Sequence, residues 1–342
     1  MKTIYLERDI KEFEFSQDTK KEYSENSSKL LEPVFIGNYQ HMQPYITKGV
    51  GVTALRDVLV EKVDHIGAVL VGAGPSLDND LPLLKQHEHN LFIIAGDAAL
   101  PILTKHGIKP NVIVVTDHSD RQVRNFTNQN IEDSFTFMVS VVHPMTFNEA
   151  RKANAVILWY NMYDVSSPTC RAIPGMSGRK GAFLPGVLTS SIVMQSAFWL
   201  GFKTLAFIGN DLAYKDVKNG YAKDIDEEKK NFQKQDKINS KKGLVLYDDI
   251  NGNKIYTHKI FIAFRDWLNE HLEKVWPGAT IYNCSQQGIL HGPKIIQSTL
   301  KEFINKYSKE GLWKECQEVL KENYILEKQL FEYVIAPIPE GE

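Results

Sequence analysis

Apolar residues along this chain collect into short unbroken runs separated by longer mixed segments. "AVLVG" (68–72), "LFIIAG" (91–96), "VIVVT" (112–116), "FMVSVV" (137–142), "AVILWY" (155–160) and "TLAFIG" (204–209) are rich in Val, Ile, Leu and Phe, without polar alternation. Such runs predict strands buried on both faces, as in a parallel sheet covered by helices on each side. Between them the period changes to that of a helix. "VGVTALRDVLVEKV" (50–63) is amphipathic at helical spacing. In "DAALPILTKHGIKP" (97–110), Asp97 is placed to cap a helix, Leu100, Leu103 and Ile108 form its apolar side, Gly107 ends it and Pro110 blocks continuation. "PGVLTSSIVMQSAFWLG" (185–201) predicts another helix, with Gly201 as its stop and hydroxyls in its first turn.

The flanks read differently. Residues 1–48 are polar and weakly periodic, with "KKEYSENSSK" as an exposed loop, and are expected to be an attachment to a core at 49–300. Residues 215–243 are mostly charged and predict a solvated flap. A hairpin is expected over 244–258 around Asn251-Gly252, then a helix near 257–275, a strand "ATIYNC" and a helical extension over 301–342 that begins near 293 and ends in a frayed tail. The fold class that follows is α/β: an open, mostly parallel, Rossmann-like sheet with helices on both faces, a hairpin insertion and a helical C-terminal segment.

Composition narrows the function. With 342 residues, 43% hydrophobic and 24% charged, the chain can bury a sizeable core, and its net charge of -2 argues against a strongly electrostatic nucleic-acid binder. Cys170, Cys284 and Cys316 show no metal-ligand spacing. No signal-like apolar core or run of membrane-spanning length is present, so a cytoplasmic protein without a membrane span is expected.

Ligands of open parallel sheets bind beyond the carboxyl ends of the strands, which singles out the residues after each run. They are Gly72, Ala73, Gly74, Pro75 and Ser76; Gly96 and Asp97; Asp117 and His118; His143; Asn161; and Asn210 and Asp211. Glycines permit close backbone approach, and amides of the turn and the following helix can accept a phosphate. Caps and turns favour the same residue types, and for Asp97 alone capping is the preferred reading. Thr189 and Ser190 offer a second phosphate cradle. Asp117 and Asp211 are candidates to hold a divalent cation or to act as general base, and His143 to move a proton.

"GAGPSLD", "IIAGDAALPILTKHGIKPNVIVVTD" and "GFKTLAFIGNDLAY", in that order, with "NGNKIYTH" and "YNCSQQGILHGPKI" after them, resemble the core of the Maf (motility accessory factor) and MptE-like family over roughly residues 50–300. The segment "LPGVLTSSIVMQSA" departs from the Gly-Gly-Ser/Thr-Val-Ala turn that Maf proteins tend to show. The resemblance implies nucleotide contact by Gly72, Gly74, Pro75 and Ser76, with Asp97, Asp117 and Asp211 lining the same crevice and Thr189 and Ser190 at the family's hydroxyl-containing turn; with the strand-end reading, Ala73 and Asn210 join the expected nucleotide site and His143 joins Asp117 and Asp211 as a catalytic candidate. The Maf branch implies a glycosyltransferase that moves a nonulosonic acid from its CMP-linked form to a Ser or Thr of a protein such as flagellin. The archaeal branch implies a magnesium-dependent diphosphokinase acting on 6-hydroxymethyl-dihydropterin. A non-catalytic nucleotide-sugar binding protein stands as a third reading, and oligomerisation stays open in all three.

Overall fold

The apolar runs become one twisted sheet in a computed structural model that describes residues 25–63, 65–162, 180–184, 186, 188–214, 221–224, 244–312, 314–315, 317–318 and 321–322. Helix α1 (Glu25–Lys48), strand β1 (Val50–Gly51) and helix α2 (Val52–Leu59) come first. Then follow β2 (Gly67–Val71), α3 (Leu77–His87), β3 (Phe92–Gly96), α4 (Leu100–Lys105), β4 (Val112–Val115), α5 (Val123–Phe126), β5 (Phe135–Val139), α6 (Pro144–Lys152) and β6 (Val156–Met162). The second half carries β7 (Ala182–Phe183), α7 (Thr189–Trp199), β8 (Thr204–Ile208), the hairpin β9 (Leu244–Asp248) and β10 (Lys254–His258), α8 (Lys259–Lys274), β11 (Thr280–Asn283), β12 (Ile295–Gln297) and α9 (Leu300–Tyr307).

The sheet has ten strands in the order β1-β6-β5-β4-β3-β2-β8-β11-β12, with β7 against β6, and its pairings are parallel. Alternate side chains feed opposite faces. Leu70, Phe92 and Ile94 point to the face covered by α2, α7 and α8, where Phe92 meets Phe202 at 4.7 Å between ring centroids. Val69, Val71 and Ile93 point to the other face, under α3, α4 and α9. Over β4 to β6 that second face is covered by α5, α6 and α1, with Phe147 of α6 stacked on Trp159. Two helices end in the motif read from sequence. Gly107 (φ +68°) follows α4, with Ile108 N bonded to Leu103 O, and Gly201 (φ +103°) follows α7, with Phe202 N bonded to Ala197 O.

Several expectations are corrected. Part of "KKEYSENSSK" is helical from Glu25, and α1 inserts Tyr39, Met42 and Ile46 into the main core, because three apolar residues at helical spacing face the sheet. Asp97 is not the N-cap of α4: it opens the 3-10 turn Asp97–Ala99, and Ala99 precedes the helix. The run "FMVSVV" leaves the sheet at Val139, where Val142 N turns back to Val139 O. Residues 295–297 are a strand rather than the start of a helix. The hairpin forms as predicted, with Gly252 at φ +81°. Most of the charged segment 215–243 and the end of the chain lie outside the described residues. Among the described residues, no helix is long and apolar enough to cross a membrane.

Candidate functional site

Strands β2 to β6 succeed one another in one direction, and the chain then returns to place β8 on the other side of β2. The strand order therefore reverses between β2 and β8, where parallel sheets open a crevice at their carboxyl ends. Gly72 to Ser76 and Gly209 to Asp211 are the two turns at that point.

These turns grip each other. Gly72 N donates to Ile208 O (2.9 Å), Gly74 N to Gly209 O (2.8 Å) and Ser76 N to Asp211 Oδ2 (3.1 Å). A Cβ on Gly74 would stand 2.2 Å from Asp211 Oδ2, and one on Gly72 2.4 Å from Gly209 O. The glycines thus serve the close approach of two strand ends, and three amides expected to cradle a phosphate are engaged within the protein.

Asp211 is buried, with Gln287 Nε2 donating to Oδ1 (2.8 Å). Burial raises its pKa, opposed by the bonds from Gln287 and Ser76. Beside it, Asp80 on α3 is 7% exposed, and burial followed by the charge of Asp211 pushes its carboxyl up to about 7. Asp117 lies elsewhere. It follows β4, separated from the end of β8 by β3 and β2, so about 14 Å of sheet stands between the two aspartates at strand spacing. One cation cannot bridge them, contrary to the sequence expectation, and no group of three or more metal-ligating side chains assembles among the described residues.

What does assemble is a polar row over β3 and β4. Asp97 Oδ2 accepts from Asn125 Nδ2 (2.8 Å), which also donates to Gln122 Oε1 (2.8 Å), and Gln122 Nε2 donates to Asp117 Oδ2 (2.9 Å). Asp117 Oδ1 accepts from Ser119 N (2.8 Å). The Asp117 side chain stays 40% exposed, so its carboxylate is both oriented and reachable. His118 Nδ1 stands 3.7 Å from it, and burial lowers the pKa of that imidazole against the pull of Asp117.

On the opposite face α7 begins at the crevice without a side-chain cap. Thr189 Oγ1 pairs with Thr116 Oγ1 (2.9 Å), Ser190 Oγ donates to Asn210 Oδ1 (2.7 Å), and Gly96 lets Thr189 approach to 3.3 Å of a would-be Cβ. Asn210 Nδ2 is fixed on Leu70 O and Ile208 O. Tyr160 donates to Val115 O (2.8 Å) and its phenol stays far above the ordinary range through burial and the charge of Asp97. His143 caps α6, its Nδ1 accepting from Met145 N (3.3 Å), which gives it a structural task. The structure thus brings Asp97, Asp117, Thr189, Ser190 and Asn210 to the mouth of the sheet and leaves Asp211 beneath it. Asp80, Gln122, Asn125 and Gln287 were missed by sequence reasoning. Only Asp80 carried a signal, at helical spacing among Leu77, Leu81 and Leu84.

A family model described as "6-hydroxymethylpterin diphosphokinase MptE-like" matches residues 41–217. Among solved structures, a Maf glycosyltransferase from Magnetospirillum magneticum AMB-1 is similar in fold, with a TM-score of 0.56 and 16% identity, over 86% of this chain. The match takes in 44% of that protein, so this chain spans less than half of its length. No curated protein matches. The family model covers more than half of the 342 residues and includes β2 to β8, and the chain belongs to the MptE-like family.

Proposed function

We propose that the protein is a glycosyltransferase that moves a CMP-linked nonulosonic acid to the hydroxyl of a Ser or Thr in a protein acceptor such as flagellin. The observation that carries this reading is the pairing of two features across one crevice: an uncapped helix start lined by Thr116, Thr189 and Ser190, and an oriented, accessible carboxylate at Asp117. Amides and hydroxyls at a helix start suit the single phosphate of the donor. In this reading the start of α7 holds the phosphate, and the glycine turn is the wall that shapes the crevice.

In the reaction the acceptor oxygen bonds to the anomeric carbon while that carbon's bond to the phosphate oxygen breaks. CMP leaves with that electron pair, and Asp117 takes the hydroxyl proton. Gln122 and the Ser119 amide hold the carboxylate in place, and Asn125 ties it to Asp97. The likeness in fold to a Maf glycosyltransferase supports the reading.

The description of the family model favours a second reading, a magnesium-dependent diphosphokinase acting on a hydroxymethyl-dihydropterin. There Asp97 and Asp117, at neighbouring strand ends, would be the acidic groups near the phosphates. Thermal melts and product analysis with CMP, a CMP-linked nonulosonate, ATP and hydroxymethyl-dihydropterin, with and without magnesium, separate the two. Stabilisation by the CMP compounds and sugar transfer to flagellin are expected. Magnesium-dependent release of AMP would overturn the glycosyltransferase, and binding of CMP compounds without turnover would leave a nucleotide-sugar binding protein. Asp117→Asn should lower kcat by about 100-fold or more with little change in donor affinity.

A further inference from the structure

Asn38 lies on α1, ahead of residues 41–217 that the family model matches, yet its side chain ends at the crevice. It is buried, and its Nδ2 donates to His118 O (2.8 Å) and to Val141 O (3.0 Å). Both partners are carbonyl oxygens, so the nitrogen of the carboxamide, and not its oxygen, must face them. His118 follows β4 and Val141 follows β5, so one amide group ties the carboxyl ends of two neighbouring strands. One helical turn earlier, Phe35 meets the His118 imidazole edge to face, at 4.7 Å between ring centroids.

The His118 carbonyl belongs to the same peptide unit as the Ser119 amide, and that amide donates to Asp117 Oδ1 (2.8 Å). This peptide is trans and planar, so its C=O and N–H point in opposite directions. Holding the oxygen therefore aims the N–H. The bond to the carbonyl also polarises the peptide and strengthens its N–H as a donor. Gln122 holds the other carboxylate oxygen, Oδ2 (2.9 Å). That bond alone would be a pivot, and the second, to Oδ1, fixes the plane of the carboxylate.

We infer that Asn38 is a positioning residue for Asp117: it clamps the peptide between His118 and Ser119 so that the Ser119 amide locks the carboxylate at the mouth of the crevice. The inference rests on the glycosyltransferase reading, in which that carboxylate takes the proton of the acceptor hydroxyl. Helix α1 then serves the reaction as well as the core, through one side chain that reaches the strand ends.

The test compares the full chain with Asn38→Leu, Asn38→Ala and a control, Ile46→Val, which trims the core on the same helix. Hydrogen exchange of the Ser119 amide is followed by NMR, and transfer from CMP-pseudaminic or CMP-legionaminic acid to flagellin gives kcat and KM. In both Asn38 variants the Ser119 amide is expected to exchange about tenfold faster, while Ile46→Val keeps the parent's rate. With the donor's KM unchanged, kcat is expected to fall about tenfold, and to fall no further when Asn38→Leu is added to Asp117→Asn. Melting curves check folding, and Asn38→Ala stands in should the larger side chain prevent it. Unchanged exchange at Ser119 in the Asn38 variants overturns the inference. So does an equal loss of kcat with and without the Asp117 carboxylate, the mark of an asparagine that only stabilises the fold. A parent chain that transfers no sugar sinks the glycosyltransferase reading instead, and Ser119 exchange still decides whether Asn38 holds the peptide.

Discussion

Asp80 sits on the stripe that α3 turns to the sheet, where Leu77, Leu81 and Leu84 are buried with it. Its carboxyl has a folded pKa of about 7 against 3.8 for the free group. A raised acid binds more protons folded than unfolded, so its contribution is present in full below about pH 4 and is lost as pH rises to about 7. The loss is on the order of 4 kcal/mol at 1.36 kcal/mol per unit. Urea unfolding at pH 5 and pH 8 should show this decline in the parent and a flatter profile in Asp80→Asn; equal slopes would remove Asp80 from the account. The neighbouring turn makes a second residue-scale prediction. Gly74→Ala drives a methyl into the Asp211 carboxylate and should cost about 2 kcal/mol or more, measured by the urea midpoint. Gly74 illustrates what a sequence conceals. Its position after an apolar strand marked a turn at the crevice, yet only the return of a segment 135 residues later decides that Gly209 O takes the Gly74 amide and Asp211 the amide of Ser76.

At the level of elements, local chemistry was readable wherever it was local. The stops at Gly107 and Gly201, the hairpin at Asn251-Gly252 and the buried parallel strands all follow from φ requirements and apolar runs. Short strands β1, β7 and β12 were not readable, since two or three residues pair only because a neighbour is already there. The same holds for α1, whose two prolines, Pro33 and Pro44, and polar sequence argue against a helix that tertiary packing nonetheless stabilises. Gly201 joins both kinds of constraint, because its positive φ ends α7 while its Cα approaches Val60 at the end of α2. Gly201→Ala would place a Cβ 2.9 Å from the Val60 Cα and should cost about 1–3 kcal/mol, read from the shift in melting temperature. Little change would mean that α2 can give way.

For the whole molecule, the N-terminal helix α1 is built into the core. Met42 and Ile46 of α1 are fully buried, and Asn38 Nδ2 donates to His118 O (2.8 Å) and Val141 O (3.0 Å) at the crevice. A chain begun at Gly49 should therefore melt lower than the full chain by at least about 5 °C or fail to fold, as checked by circular dichroism and solubility. The hairpin is tied in the same manner, through Thr257 Oγ1 to Leu212 O and Ile250 N to Gly288 O, so it reports on the turn that holds Asp211.

The insertion of β8 beside β2 has a consequence for how the molecule is made. Until residue 204 has left the ribosome, β2 is the edge of an apolar, wholly parallel sheet, with its backbone donors and acceptors open to any passing strand. The crevice is then incomplete, since one of its walls has not been synthesised. Closing it requires a contact across more than a hundred residues, a slow step by loop-closure entropy, so the binding site and the protection against aggregation should appear together and late. Refolding followed at once by nucleotide binding and by light scattering would show ligand affinity rising in step with the loss of aggregation.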